Sequence, residues 1–193
     1  MKKNSTRLIA IFFVALCLSI ASPATAEEEN WESLKRESKR MKIDEMAQQA
    51  LNTLFATNPR SEDLFEMSYG WAVFDNLKLA FVVSGGGGNG VAKVRVSGEK
   101  TYMKMGTGGI GIGRGANKYQ VIFFVQDRTT FENFVEKGWQ ADAGATAAAG
   151  RNAAEAKTNF VNGLAIYQMT EAGLMAHADI AGTKYWKNKK LNR

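Results

Sequence analysis

The chain has 193 residues, with 25 Lys and Arg against 19 Asp and Glu, one His and one Cys, and a formal charge of +6. This length suits one domain with a real core, and a charge this mild gives no argument for a nucleic-acid partner. With a single cysteine at position 17 and a single histidine, the composition excludes a disulfide framework and offers no cysteine-histidine metal cluster.

The first residues read as an address. Lys2, Lys3 and Arg7 precede an apolar run from Leu8 to Ala21, and Ala24-Thr25-Ala26 has the small-x-small pattern of a signal-peptidase site. Residues 1–26 are therefore expected to be a cleaved signal peptide, leaving 27–193 as a single domain that begins at Glu27. The run is short, about 14 residues against the roughly 20 that span a bilayer, and Cys17 follows Leu16 where a lipoprotein would need a small residue. The expectation is an exported protein without an acyl anchor, periplasmic or secreted, and peripheral to a membrane. Removing Lys2, Lys3 and Arg7 lowers the charge to about +3, since no acidic residue leaves.

A helix is predicted from Asn30 as N-cap, with Glu27 to Glu29 as a disordered lead-in. Asn58-Pro59 is its stop. Ile43, Met46, Ala47, Ala50, Leu51 and Leu54 recur at helical spacing and are predicted to face the core. Extending that stripe backwards reaches Arg36, Lys39 and Arg40, so the first turns are expected to project past the body. A short second helix follows, with Ser61 as N-cap and Glu62 and Asp63 in its first turn, where the helix dipole favours acidic groups.

After Gly70 the pattern becomes strand-like. Trp71–Phe74, Leu77–Ser84, Val91–Val96, Tyr102–Met105 and Tyr119–Val125 are β-branched or aromatic runs punctuated by Gly, Asn and Asp. Phe131–Lys137 reads as a short helix, and Leu164–Met169 with Leu174–Ile180 as a hairpin around residues 170–173. The predicted class is α+β: N-terminal helices packed on a mostly antiparallel, strongly curved β-sheet with Gly- and Ala-rich strands.

The glycines pose the main question. Gly85, Gly87 and Gly90, and again Gly106, Gly108 and Gly111, match the dinucleotide fingerprint in spacing. That fingerprint holds a pyrophosphate on the helix its glycines open, whereas Val91–Val96 alternates like a strand. Gly90 is followed by Val91 and not by Gly-Lys-Ser/Thr, so a P-loop fails too. The stronger signal is periodic: Gly109, Gly111, Gly113 and Gly115 share one face of a strand, and Ala141, Ala143, Ala145, Ala147 and Ala149 repeat the alternation. Side-chain-free faces admit close approach, either as tight internal packing or as a smooth wall for a ligand. Propensity alone would make 141–149 an alanine-rich helix.

The order of these motifs carries a resemblance. Tyr69-Gly-Trp-Ala-Val-Phe74, then Leu79-Ala-Phe-Val-Val-Ser-Gly-Gly86 with Gly90-Val91, the glycine strand, Gly138-Trp-Gln-Ala-Asp-Ala143 with Ala147–Gly150, and Ala165-Ile-Tyr167 with Ala172-Gly-Leu174 together resemble the SYLF-domain family of lipid-binding proteins. The resemblance runs from about Met46 to Trp186. The family usually has proline where Asp75 stands, and often Ser and Gln where Gly109 and Gly113 stand. What the resemblance implies is a membrane-binding α+β domain; eukaryotic members bind phosphoinositides and some bind actin. For an exported bacterial chain, anionic phospholipid or lipopolysaccharide phosphate is the corresponding target.

Catalytic chemistry is hard to assemble. His177 and Asp179 share a strand face, which suits a surface hydrogen bond, and no nucleophile with a base can be named. No catalytic residue, metal site or cofactor is expected. The basic residues carry the functional signal. Lys35, Lys39 and Lys42 form one helical stripe with Arg36 and Arg40 beside it, near Trp31 and Leu34, as helices lying on anionic surfaces do. Lys184, Trp186, Lys187 and Lys190 form a second group that mixes charge with amphipathic rings. The leading expectation is a non-catalytic lipid-binding protein of the bacterial cell envelope whose partner is an anionic lipid or membrane surface. The alternatives are a structural or protein-interaction domain of the periplasm, with an unknown protein partner on its basic ends, and an enzyme acting on lipid.

Overall fold

The computed structural model of the chain describes residues 23–80, 84–109, 115–141, 159–170, 173–174 and 182–193. Residues 1–22 of the expected leader, His177 and Asp179, Gly111 and Gly113, and the alanine alternation beyond Ala141 lie outside the described residues. The chain forms two compact units, residues 1–34 and 35–193.

Helix α1 spans Pro23–Thr57. It begins seven residues before the predicted Asn30 cap, and Glu27 to Glu29 are helical. Pro23 suits a first helical position, and the Ala and Glu residues behind it are good helix formers. In the first unit Trp31 and Leu34 are exposed on this helix. In the second, Ile43, Ala47, Ala50, Leu51 and Leu54 are buried and Met46 is half-buried. The 3.6-residue period thus located the core stripe. Helix α2 spans Arg60–Met67, with Glu62 and Asp63 in its first turn. Ser61 does not cap it: Pro59 holds the cap position, while the buried Ser61 hydroxyl donates to the Asn58 carbonyl at 2.6 Å.

Eight strands follow: β1 Gly70–Ala80, β2 Ser84–Val94, β3 Lys100–Gly109, β4 Gly115–Val125, β5 Trp139–Gln140, β6 Leu164–Thr170, β7 Gly173–Leu174 and β8 Thr183–Lys187. They form one sheet in the order β5-β8-β3-β2-β1-β4-β6-β7, every pairing antiparallel. Between β4 and β5, helix α3, Arg128–Glu132, is capped by Asp127, whose side chain accepts from the Thr130 amide. It runs on into a π-helical turn, Asn133–Lys137. The class is α+β, with the sheet curled into a half-barrel.

The sequence boundaries shifted most at the glycines. Asp75-Asn76 does not interrupt β1, and Gly85–Gly90 is not a spacer but the body of β2, laddered to β1 on one side and β3 on the other. Two ladders hold the glycine backbone extended despite its weak strand preference, a tertiary override of local propensity. Val96, expected to close a strand, lies beyond β2 and is exposed.

Both sheet faces are buried over much of their extent. On the convex face, α1 and α2 cover Trp71, Val73, Val91, Ile122, Phe124 and Tyr167. The concave face holds Ala72, Phe74, Met103, Val121 and Phe123 beneath Phe134 of the π-turn, Trp139 and Tyr185. The aromatic contacts measure the curl. Strands β8 and β4 lie four steps apart in the sheet, about 19 Å if it were flat, yet the Tyr185 and Phe123 rings meet at 5.0 Å between centroids. Such contacts require the sheet to close toward this side.

A lysine-edged convex surface and a docked C-terminal segment

Alternation along the strands assigns every side chain to a face. Because directly paired residues share a face, the register of five strands builds a row across the convex side: Lys184 of β8, Gly106 of β3, Gly87 of β2, Leu77 of β1 and Lys118 of β4. Lys184, Gly87, Leu77 and Lys118 are all exposed, Leu77 at 42%. The neighbouring row contains Trp186, Lys104, Asn89 and Asp75. The Trp186 indole, 39% exposed, lies over Gly106, where an added Cβ would stand 3.0 Å from its ring. At Gly85 and Gly108 an added Cβ would meet nothing within 4 Å. This part of the convex face is a bare backbone surface edged by lysines and carrying one indole.

The concave glycines are different. A Cβ on Gly88 would run into the Asp75 carbonyl, and one on Gly90 into the Val73 carbonyl and the Phe74 ring. These positions lack side chains because curling toward the concave side brings β1 and β2 too close to admit them.

One residue of the α1 basic group holds the chain segment that follows β8. Arg40 of α1 donates from Nε to the main-chain oxygen of Leu191 and from Nη2 to that of Arg193, each at 2.8 Å. Its guanidinium also stands 5.6 Å from the Tyr102 ring centroid and 3.5 Å from Glu37. Leu191 is buried, and Asn192 exchanges hydrogen bonds with the Tyr102 main chain at 2.9 and 2.7 Å. The segment after β8 is thus docked against β3 and α1. Tyr102 in turn donates to Asp44 at 3.0 Å, and Lys100 pairs with the same carboxylate at 2.8 Å. Burial, then the Asp44 charge and hydrogen bond, push the Tyr102 phenol up to about 12.

The nine candidate residues therefore separate. Lys35, Lys39 and Lys42 are exposed along α1, with Arg36 half-buried beside them, and Met41 is exposed next to Lys42. Arg40 faces the body and holds the docked segment. Lys184 and Trp186 lie on the convex surface and Lys190 is exposed beyond it, while Lys187 falls on the other face and pairs with Glu136 at 2.6 Å. Lys118, Lys104 and Leu77 join the surface without having been named from the sequence. Strand alternation places each on a face, but only the register puts them in adjoining rows. Among the described residues no three of His, Cys, Asp and Glu gather as metal ligands, and no helix is long and apolar enough to cross a membrane.

No family model matches the chain. It is 40% identical over 152 residues to the protein named Beta cell expansion factor A of Aeromonas veronii, an alignment that takes in 79% of this chain and 58% of that protein. The chain thus spans less than two thirds of the length of the curated relative it matches.

Proposed function

We propose that this chain is a non-catalytic lipid-binding protein of the bacterial envelope that docks on anionic membrane surface through the lysine-edged convex face and the lysines of α1. The observation that supports it most directly is the exposed row Lys184, Gly106, Gly87, Leu77, Lys118, with Trp186 adjoining. Glycine lets the sheet backbone come close to a surface, and lysines grip its phosphates. The Trp186 ring, apolar in body and polar at its N–H, suits the headgroup level. Each lysine near an anionic leaflet contributes about 1 kcal/mol. Lys35, Lys39 and Lys42 add charge on α1, which packs on the same convex side. The SYLF resemblance points to the same ligand class.

Vesicle sedimentation tests this reading. Binding to phosphatidylglycerol-containing vesicles is expected to exceed binding to phosphatidylcholine vesicles and to fall steeply with salt, as the screening length shortens to about 8 Å at physiological ionic strength. The double change Lys118→Gln, Lys184→Gln is expected to weaken binding, and Lys35→Gln with Lys39→Gln and Lys42→Gln to weaken it further. Lys187→Gln, on the opposite face, serves as the control. Equal binding to neutral vesicles, or indifference to both lysine sets, would overturn the proposal.

A further inference from the structure

The concave interior contains polar groups that the fold does not pair. Asn76 is 1% exposed, yet its amide oxygen and nitrogen both lack hydrogen-bond partners. The same holds for the Tyr185 hydroxyl, the Thr183 hydroxyl and the Gln168 carbonyl oxygen, all buried. A buried orphan of this kind costs about 1–3 kcal/mol, so so many on one face call for a cause.

All four residues belong to the concave face. Asn76 follows Phe74 by two residues on β1 and lies opposite Tyr119 on β4. Gln168 follows Ile166 by two residues on β6 and pairs with Val121, two residues from Tyr119. Tyr185 comes from the far side of the sheet: its ring sits 4.7 Å from that of Phe74, two residues before Asn76, and 5.0 Å from that of Phe123. Thr183 stands two residues before it on β8 and is fully buried. Around these groups the wall is apolar, formed by Phe74, Met105 and Val121. The buried polar groups are amides and hydroxyls, with no buried Lys, Arg, Asp or Glu among the described residues. Burial and the neighbouring Tyr119 hold the Tyr185 phenol well above its ordinary value, so it remains a neutral donor.

From this arrangement we infer that the interior of the half-barrel binds the uncharged oxygen function of a small amphipathic molecule, such as a monoacyl ester or long-chain alcohol. Asn76, Gln168 and Tyr185 satisfy its carbonyl or hydroxyl, and the aromatic wall takes its chain. An anion is disfavoured, because no cation buried among the described residues would offset its desolvation. This site is separate from the charged convex surface and does not rest on it.

The test uses the full chain, titrated with 1-monolauroylglycerol, with laurate and with dodecane, and followed by native mass spectrometry and by Trp fluorescence. The Trp139 ring lies 5.7 Å from Tyr185 and reports occupancy. The neutral ester is expected to bind at least about tenfold more tightly than laurate, and Tyr185→Phe to weaken it about tenfold, the scale of one lost hydrogen bond. Asn76→Leu removes both orphan atoms at similar volume; it is expected to abolish ester binding while keeping or raising the melting temperature. Should that variant fail to fold, Tyr185→Phe, which deletes one oxygen, decides alone. Ester binding no tighter than that of laurate or dodecane, or binding unmoved by Tyr185→Phe, would overturn the inference. So would a high-resolution structure in the presence of ester in which only ordered water meets Asn76.

Discussion

Substituting alanine at glycines on the two faces of β2 separates the two meanings a glycine strand can have. At Gly90 the new methyl would enter the space of the Val73 carbonyl and the Phe74 ring, whose Cγ lies 2.8 Å from the ideal Cβ. Phe74 is fully buried and packed at 4.7 Å against Tyr185, and the carbonyl belongs to the paired strand. Forcing a methylene-sized group into a filled core costs about 1–3 kcal/mol. At Gly85 the methyl meets nothing within 4 Å, and the backbone is not in the left-handed region. There alanine reduces the entropy of the unfolded chain and is expected to stabilise by about 0.4–1 kcal/mol. For a domain of this size 1 kcal/mol moves the midpoint by about 2–4 °C. Gly90→Ala is therefore expected to lower it by about 2–12 °C and Gly85→Ala to raise it by about 1–4 °C, measured by calorimetry. A Gly90→Ala variant that melts with the parent, or a Gly85→Ala variant as destabilised as Gly90→Ala, would refute the assignment of crowded concave and open convex glycines.

Arg40→Ala is expected to cost about 2 kcal/mol, because a charged donor to two main-chain oxygens is lost; Arg40→Lys should restore little, since a point ammonium cannot reproduce the guanidinium fork. Both are read from urea unfolding. Alkaline titration should distinguish tyrosines. Tyr102 and Tyr167 are each pushed up to about 12, by burial and, for Tyr102, by Asp44, and Tyr185 is held well above its ordinary value by burial and then Tyr119. A raised folded-state value means the folded chain holds protons that the unfolded chain releases, so stability is retained below about pH 10 and lost between about 10 and 12. Absorbance at 295 nm should then show these three ionising late or only with unfolding; all five tyrosines titrating near 10 in a folded chain would contradict it. Trp186→Ala should weaken vesicle binding with little change in melting temperature, as exposed-surface substitutions stay within about 0.5 kcal/mol.

What the sequence made legible follows from how local each signal is. The α1 stripe and the α2 acidic turn are set by spacing within a helix, and the strands at Tyr102 and Tyr119 by β-branched and aromatic runs. All were found. Gly85–Gly90 was read as punctuation because glycine has no strand preference of its own; its place in β2 comes from ladders on both sides and from curvature, neither of which is local. Arg40 lay on the backward extension of the core stripe and was expected to project past the body; it faces inward instead, because the oxygens it binds belong to residues 151 and 153 positions away. Asn76 and Gln168 could be placed on the faces of Phe74 and Ile166 by alternation. That those faces close over them is a property of the whole sheet.

The curl also explains why one sheet can carry two unlike chemistries. Bending draws β1 and β2 together on the concave side, where Gly88 and Gly90 must give way and amides and phenols are enclosed with no buried charge among the described residues. On the convex side the same bend spreads the strands' outer surfaces, leaving Gly85 and Gly108 bare between the rims marked by Lys184 and Lys118. A charge change on the outer row should therefore alter the salt dependence of vesicle binding and leave the interior ester untouched, whereas Tyr185→Phe should do the reverse. Loss of both activities from a change on either face would mean that the two ligands share one site. The curvature would then be acting through stability alone.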